Sequence, residues 1–139
     1  MAKTAIIYWS GTGNTEAMAK AIQAGLVEKG AEVDLLTVSE AEKVSLADYE
    51  KVAFGCPSMG DEVLEESEFD PYFTSIEGEL KGKKVALFGS YGWGDGGWMR
   101  DWAKRVEADQ ANLFDEGFIV NEEPEEEGCK QYGRELAVF

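Results

Sequence analysis

The chain contains no histidine among its 139 residues. This excludes Ser-His and Cys-His nucleophiles, because both need an imidazole as the general base. It also disfavours a zinc or haem site, since histidine is a frequent ligand of both metals. Hydrolases that use such nucleophiles, and zinc enzymes, are therefore poor matches for this sequence.

Cysteine and long apolar segments are scarce as well. The two cysteines, Cys56 and Cys129, fit no metal-ligand spacing and are predicted to be free thiols. No apolar run approaches the roughly 18 residues that a membrane-spanning helix needs. Met1–Thr4 runs directly into the first predicted strand and leaves no room for a signal peptide. We therefore predict a cytoplasmic protein that does not associate with membranes.

Positive charge is the third scarce feature. The sequence has 13 lysines and arginines against 28 aspartates and glutamates, which gives a formal net charge of −15. Such a chain is repelled by nucleic acids and anionic membranes, so its partners are predicted to carry basic patches. Simple solubility also explains the acidity, and the two interpretations are compatible.

Length and composition indicate one globular domain over residues 1–139. Apolar strand-like segments alternate with helical ones along the chain. The predicted strands are Thr4–Trp9, Glu32–Val38, Lys51–Cys56, Lys84–Ser90 and Gly117–Asn121. Continuous apolar runs such as residues 85–88 suit strands that are buried on both faces of a parallel sheet. The alternation predicts a doubly wound α/β sheet with right-handed crossovers.

Three segments between and after these strands have the spacing of a buried helix face. The first is followed by Gly30, which lies where a glycine ends a helix. The faces consist of Met18, Ala21, Ile22, Gly25 and Leu26; of Trp98, Trp102 and Val106; and of Cys129, Tyr132, Gly133, Leu136 and Ala137.

The loop after the first strand, residues 10–15, joins a strand to a helix and consists of glycines, hydroxyls and an amide. This arrangement presents backbone N–H groups to a phosphate, and no lysine or arginine lies between Lys3 and Lys20. A dinucleotide fingerprint is excluded because its third glycine is replaced by Glu16. A P-loop is excluded because the pair Gly82-Lys83 has neither the first glycine nor the following hydroxyl. An ordinary turn without a ligand explains the loop alone equally well.

Two further loops carry unusual residues at the carboxyl ends of strands, where ligands bind in such sheets. One is residues 56–62, after the third strand. The other is residues 89–97, after the fourth, in which glycines surround Trp93. A tryptophan held between glycines suggests stacking on a planar ring. Packing into a surface groove is the alternative.

With these loops in place, the chain resembles a flavodoxin of the short-chain, clostridial type over essentially its full length. The resemblance rests on residues 8–15, on residues 59–62 with Leu64 and Glu65 after them, and on residues 83–94. The short-chain type is indicated because residues 118–121 lead directly towards the final helix. The family fold implies five parallel strands in the order 2-1-3-4-5, with helices on both faces.

The resemblance implies a non-covalently bound FMN and a low-potential one-electron carrier that shuttles between semiquinone and hydroquinone. Met59 and Trp93 match the residues on the two ring faces. Gly60 matches the residue whose carbonyl accepts from the reduced flavin N5–H, and Glu62 matches the carboxylate that accepts from N3–H. Redox tuning is thus predicted for residues 59–62 and Trp93. The full predicted cofactor site is Ser10, Gly11, Thr12, Gly13, Asn14, Thr15, Pro57, Ser58, Met59, Gly60, Asp61, Glu62, Ser90, Tyr91, Gly92, Trp93 and Gly94.

The family also implies a monomer that docks transiently with basic redox proteins at its acidic flavin edge. Three alternatives remain at this point. An FMN-dependent NAD(P)H reductase has little chain left for a nicotinamide site. A phosphorylated receiver domain lacks its aspartate cluster at Trp9-Ser10 and at residues 55–57. A flavin-storage module has no redox function and would differ from a one-electron carrier in having no stable semiquinone.

Overall fold

The computed structural model describes residues 3–11, 13–59, 62–92 and 94–139. Within these ranges one sheet is formed by β1 (Lys3–Tyr8), β2 (Glu32–Thr37), β3 (Lys51–Gly55), β4 (Lys84–Tyr91) and β5 (Asn112–Asn121). The helices are α1 (Asn14–Glu28), α2 (Val38–Ala41), α3 (Phe69–Ile76), α4 (Gly97–Ala108) and α5 (Glu126–Ala137). Short 3-10 turns lie at Leu46–Asp48 and Glu77–Glu79. No helix in the described ranges is both long and apolar enough to cross a membrane.

All neighbouring strands are parallel, and their order across the sheet is β2-β1-β3-β4-β5. This confirms the predicted fold class and strand order. Tyr8 pairs with Gly55, and Gly55 pairs with Phe88. Because the strands are parallel, the loops that follow β1, β3 and β4 therefore begin side by side at one edge of the sheet.

Helices cover both faces of the sheet, so the central strands are buried on both sides. Ile7, Phe54 and Leu87 pack on the face covered by α2, α3 and α4. Their chain neighbours Ile6, Ala53 and Ala86 pack on the opposite face with α1 and α5. The continuous apolar runs of the sequence follow from this arrangement, since every residue of a central strand faces a helix.

The helices α1 and α5 approach backbone to backbone through two glycines of the predicted faces. A Cβ on Gly25 would lie 2.0 Å from the backbone oxygen of Lys130. A Cβ on Gly133 would lie 2.2 Å from the backbone oxygen of Ile22. Both glycines are buried, so this contact fixes the position of α1, whose amino end carries the loop of residues 10–13.

Four strands have bounds within one residue of the prediction, but the predicted start of β5 at Gly117 was wrong. The strand begins at Asn112 and contains a bulge, with a shift of register opposite Ala86 and Phe88. Asp115 and Gly117 have φ values of 51° and 106°, and the Gly117 N–H donates to Asp115 Oδ1 at 2.7 Å. These residues are typical of a turn, which is why the sequence concealed the strand.

Two other expectations of the sequence are confirmed. Gly30 has φ 84° and ends α1 in a Schellman motif, in which Gly30 N–H donates to Val27 and Ala31 N–H donates to Leu26. Cys56 and Cys129 are buried free thiols.

The close contact of α1 and α5 predicts that Gly133→Ala destabilises the protein. Alanine gains about 1 kcal/mol of helix propensity. Overpacking costs about 1–3 kcal/mol, and here the obstacle is backbone that cannot rotate away. We expect a lower urea midpoint with an unchanged m-value.

Gly128→Ala on the same helix is the matched control, because a Cβ at Gly128 meets no atom within 4 Å. It should leave the urea midpoint unchanged or raise it. A Gly133→Ala protein as stable as the Gly128→Ala protein would show that the helices separate easily.

Candidate functional site

The loop after β1 brings free backbone N–H groups to the start of α1. Gly13, with φ 99°, precedes the first helical residue. Ser10 Oγ accepts from the backbone N–H groups of Gly13 at 3.1 Å and Glu16 at 3.3 Å. No described residue accepts from the N–H groups of Asn14 and Thr15. The positive end of the α1 dipole is therefore available to an anion.

Two hydroxyls of the predicted site bind each other beneath this loop. Thr15 Oγ1 and Ser90 Oγ lie 3.0 Å apart, and both residues are buried. The pair connects the first turn of α1 to β4. These side chains thus support the loop from the interior, whereas the exposed Gly11 and half-buried Asn14 face the cleft described below.

The loop after β3 is a closed hairpin. Met59 N–H donates to the Val63 carbonyl at 2.8 Å, and Val63 N–H donates to the Met59 carbonyl at 3.0 Å. At its base, Ser58 N–H donates to the Ser90 carbonyl at 3.0 Å. In the chain, residues 60–62, called the hairpin tip below, separate Met59 from Val63, and the last of them, Glu62, has φ 57°. A left-handed residue at the end of a three-residue loop is a common way to close a hairpin.

Glu62 carries this left-handed conformation although it is not glycine. The conformation costs an L-residue about 1–2 kcal/mol. Its Oε1 accepts from the Asp95 N–H at 3.0 Å, and a hydrogen bond to a charged group contributes about 1.5–3 kcal/mol. The bond therefore acts against this strain. It also joins the hairpin tip to the loop after β4.

The carboxylate of Glu62 occupies the space that glycines leave in that second loop. A Cβ on Gly94 would lie 1.6 Å from Glu62 Oε1, and one on Gly97 would lie 2.3 Å from Oε2. Beside them, Arg100 forms an ion pair with Asp95 at 2.9 Å, which lowers the pKa of the Asp95 carboxyl. Glu62 thus points towards the start of α4 in this structure.

Aromatic side chains support the loop after β4 from within. The rings of Tyr91 and the buried Trp98 lie 5.5 Å apart. Trp98 Nε1 donates to the carbonyl of Cys56 at 3.2 Å, so it joins this loop to the end of β3. The Tyr91 carbonyl also accepts a hydrogen bond from the N–H of Glu122 at 2.7 Å. Glu122 directly follows the end of β5.

A cleft of about 220 Å³ opens between the three loops. Its volume is below the roughly 300–1,000 Å³ of pockets that enclose a ligand. A ligand of cofactor size would therefore leave an edge in solvent. The described lining consists of Trp9, Gly11, Asn14, Pro57, Ser58, Met59, Ser90, Tyr91, Gly92 and Glu122.

Eight of these lining residues belong to the predicted site. Trp9 and Glu122 were missed. Trp9 directly precedes the loop of residues 10–15, and its Nε1 donates to Glu68 Oε1 at 3.1 Å. Glu122 follows β5, the neighbour of β4, and the carboxyl end of β5 was left out of the sequence argument. Four predicted residues, Thr12, Gly60, Asp61 and Trp93, lie outside the described residues.

Fold and cleft together define a class of protein. The cleft lies where the strand order reverses, between the loops of β1 and β3, which is the position of ligand sites in doubly wound sheets. At one end of it lie the backbone N–H groups of Asn14 and Thr15, from which no described residue accepts, in a loop whose residues 10–15 contain no lysine or arginine. The two other loops lie on either side. This is the arrangement of an α/β protein that binds a mononucleotide-like cofactor.

Comparison with known proteins identifies the family. The flavodoxin family model matches residues 6–133. The flavodoxin of Clostridium beijerinckii is 47% identical over 134 residues, which are 95% of this chain and 97% of that protein. The flavodoxin of Megasphaera elsdenii is 46% identical over 133 residues, 95% of this chain and 96% of that protein. The solution structure of two-electron reduced Megasphaera elsdenii flavodoxin matches with a TM-score of 0.87 and 45% identity, covering 98% and 99% of the two chains.

The chain therefore belongs to the flavodoxin family and, within it, to the short-chain clostridial type. Flavodoxins are FMN-binding electron-transfer proteins rather than enzymes with a substrate of their own. Family membership thus decides against the reductase and receiver alternatives.

The packing of Glu62 over Gly94 predicts that Gly94→Ala weakens FMN binding. The new methyl group would displace the Glu62 carboxylate and disconnect the hairpin tip from the loop after β4. We expect the dissociation constant of FMN, measured by apoprotein titration, to rise at least tenfold.

Gly82→Ala is the control. Gly82 also has a positive φ, 76°, but its Cβ would meet no atom within 4 Å. Both variants should lose similar stability from backbone strain, and only Gly94→Ala should lose FMN affinity. Equal affinities in the two variants would mean that Glu62 moves without consequence for the cofactor.

Proposed function

We propose that this chain is a low-potential one-electron carrier that cycles its FMN between semiquinone and hydroquinone and passes the electrons between redox proteins. The observation that carries this proposal is a cleft whose three loops contain no lysine or arginine in residues 10–15, 56–62 and 89–97. FMN supplies the redox chemistry, and the protein determines where its charge is stabilised.

The chemistry of the donor set fits the phosphate of FMN. The N–H groups of Asn14 and Thr15, which have no acceptor in the described part of the chain, lie at the positive end of α1, and the sequence adds the hydroxyls of Ser10 and Thr12 in the same loop. Gly11 and Asn14 line the cleft beside them. We infer that these neutral groups hold the phosphate, with Gly13 providing the left-handed turn. The absence of a cation in the loop favours a terminal phosphate ester held by amides.

The two other loops fit the ring. Met59 is 36% exposed and lines the cleft, so it presents a thioether to one ring face. Trp93 is proposed for the opposite face. Pro57, Ser58, Tyr91 and Gly92 line the same cleft, and their backbone groups are proposed to bind the ring edge. Glu62 and Gly94 are proposed to serve the pyrimidine side, where the Glu62 carboxylate lies against the loop after β4.

Carboxylates near the cleft are proposed to lower the potential of the second reduction. At 10 Å one carboxylate costs an anion roughly 0.4 kcal/mol in water, and about a third of that after one Debye length of screening. Several together cost on the order of 1 kcal/mol, or about 40 mV for one electron. Asp70 contributes little to this effect, since its charge is offset by an ion pair with Arg105 at 2.9 Å.

The acidic surface is also proposed to guide basic redox partners. The sequence places six carboxylates in residues 61–70 and five in residues 122–127. Some of them are neutralised by ion pairs, as Glu126 is by Lys130 and Glu127 by Arg134. Glu66 and Glu123 are exposed and have no ion-pair partner among the described residues. We propose that the protein with this surface is monomeric and cytoplasmic.

Gly60→Ala tests the redox function. We propose that the Gly60 carbonyl turns to accept from flavin N5–H after one electron and one proton are taken up. The turned peptide needs φ > 0, which glycine adopts without steric cost. Alanine should penalise it by about 1–3 kcal/mol, which lowers the first one-electron potential by roughly 40–130 mV.

Both one-electron potentials and the affinity for oxidised FMN are measured by stepwise reduction and apoprotein titration. Gly78→Ala serves as the control, because a Cβ at this exposed glycine meets no atom within 4 Å. The function is supported if only the first potential of Gly60→Ala falls. An unchanged first potential together with weaker FMN binding contradicts the proposed peptide rotation.

Salt dependence tests the docking surface. The rate of electron transfer to a basic partner should fall as ionic strength rises, because screening weakens the long-range attraction. The double variant Glu66→Gln with Glu123→Gln should reduce this slope. The double variant Glu32→Gln with Glu79→Gln, which removes the same charge at the other end of the sheet, should not. If the rate depends equally on ionic strength in the two double variants, the acidic residues serve solubility rather than docking.

A further inference from the structure

Of the six carboxylates in residues 61–70, Glu65 is buried, and its hydrogen bonds have no part in the roles described so far. It is 6% exposed, whereas its neighbour Glu66 is exposed. It lies between the hairpin of residues 59–63 and the start of α3. A buried carboxylate must be well hydrogen-bonded to remain charged, so its contacts indicate its purpose.

The Glu65 side chain accepts hydrogen bonds from the residues that open α3. Its Oε1 accepts from the N–H groups of Glu68 at 2.7 Å and Phe69 at 2.8 Å. Its Oε2 accepts from the Ser67 N–H at 2.9 Å and from the Ser67 hydroxyl. Burial raises the pKa of Glu65, and these hydrogen bonds more than offset that effect, so the net pKa is lowered. The carboxylate thus caps α3 as an anion.

The Glu65 backbone connects the same residue to the sheet. Its N–H donates to Cys56 Sγ at 3.3 Å, and its carbonyl accepts from the Asp70 N–H at 2.9 Å. Cys56 is completely buried at the end of β3, where its N–H donates to Phe88 and its carbonyl accepts from Trp98. Burial also raises the pKa of the Cys56 thiol, which keeps it protonated. Glu65 therefore fixes the point at which the hairpin returns to the core.

The other end of the hairpin is fixed independently. Ser58 N–H donates to Ser90 on β4, and the two hydrogen bonds between Met59 and Val63 close the loop. In the chain, the tip, residues 60–62, comes between these two fixed ends. A rotation of a peptide there therefore need not move the strands or α3.

We propose that Glu65 is a positioning residue that keeps the redox-linked rotation confined to the hairpin tip. The inference rests on the proposed function, in which the Gly60 carbonyl turns to the flavin. Because both ends of the hairpin are fixed, the turned Gly60 carbonyl has a single position. Its hydrogen bond to the flavin N5–H is then not weakened by movement of the whole loop. Without the Glu65 carboxylate, α3 loses its cap, and the segment from Val63 to Phe69 gains freedom.

The experiment compares Glu65→Ala with Glu66→Ala. Each variant removes one negative charge at adjacent positions. The first reduction adds one electron and one proton, so the charge of the flavin does not change, and the loss of a carboxylate has little direct electrostatic effect on this potential in either variant. The difference between the two first potentials therefore isolates positioning. The readouts are the two one-electron potentials of the FMN-loaded protein and amide hydrogen exchange at residues 63–69. Glu65→Gln is the conservative variant, because it keeps one acceptor oxygen.

In Glu65→Ala we expect at least tenfold faster exchange at Ser67, Glu68 and Phe69. We also expect the equilibrium constant of the first one-electron reduction to fall about tenfold relative to Glu66→Ala, which is 59 mV. Glu65→Gln should recover part of both losses. Should Glu65→Ala fail to fold, Ser67→Ala, which removes one donor to the carboxylate, should shift both readouts in the same direction by a smaller amount.

Equal first potentials in Glu65→Ala and Glu66→Ala, with faster exchange only in the former, would overturn the proposal and leave Glu65 as a helix cap. Where Ser67→Ala is used, a shift in exchange alone would overturn it in the same way. A wild-type titration in which both electrons enter in one step would instead contradict the proposed function. The two failures are therefore distinguishable.

Discussion

Parallel alignment of five strands is the constraint on which the rest of this molecule depends. It requires helices on both faces, and it brings the ends of β1, β3 and β4 to one edge. The apolar side chains are buried between the helices and the two faces of the sheet. The polar and glycine-rich segments are therefore collected at the edge, where backbone groups remain free to bind a ligand. The cleft follows from strand direction before any particular side chain is considered.

Much of this arrangement could be predicted from sequence because its signals are local. Continuous apolar runs marked the strands, and the spacing of Met18, Ile22 and Leu26 marked a helix face that is buried in the structure. The three loops were identified by their glycines and hydroxyls. Eight of the ten described residues that line the cleft were among those predicted.

The remaining features depend on contacts between distant segments and have no local signal. The bulge at Asp115 and Gly117 is supported by pairing with β4, and it looks like a turn in sequence. Glu62 turns towards Asp95, 33 residues away, and nothing near Glu62 in the chain indicates this direction. Glu65 was one of several carboxylates in an acidic segment, and its burial appears only when Cys56 is placed beside it.

The hydrogen bonds between Met59 and Val63 also bear on the speed of electron exchange. Each transfer requires the protein to relax around a changed charge, and the energy of that relaxation, the reorganisation energy, slows the reaction in both directions. Groups that are already held in place contribute little to it. Because the two hydrogen bonds hold the backbone of Met59 and Val63 in place, the part of the cleft that Met59 lines adds little to this reorganisation energy. The same closure that shapes the cleft therefore suits the protein to rapid and reversible exchange.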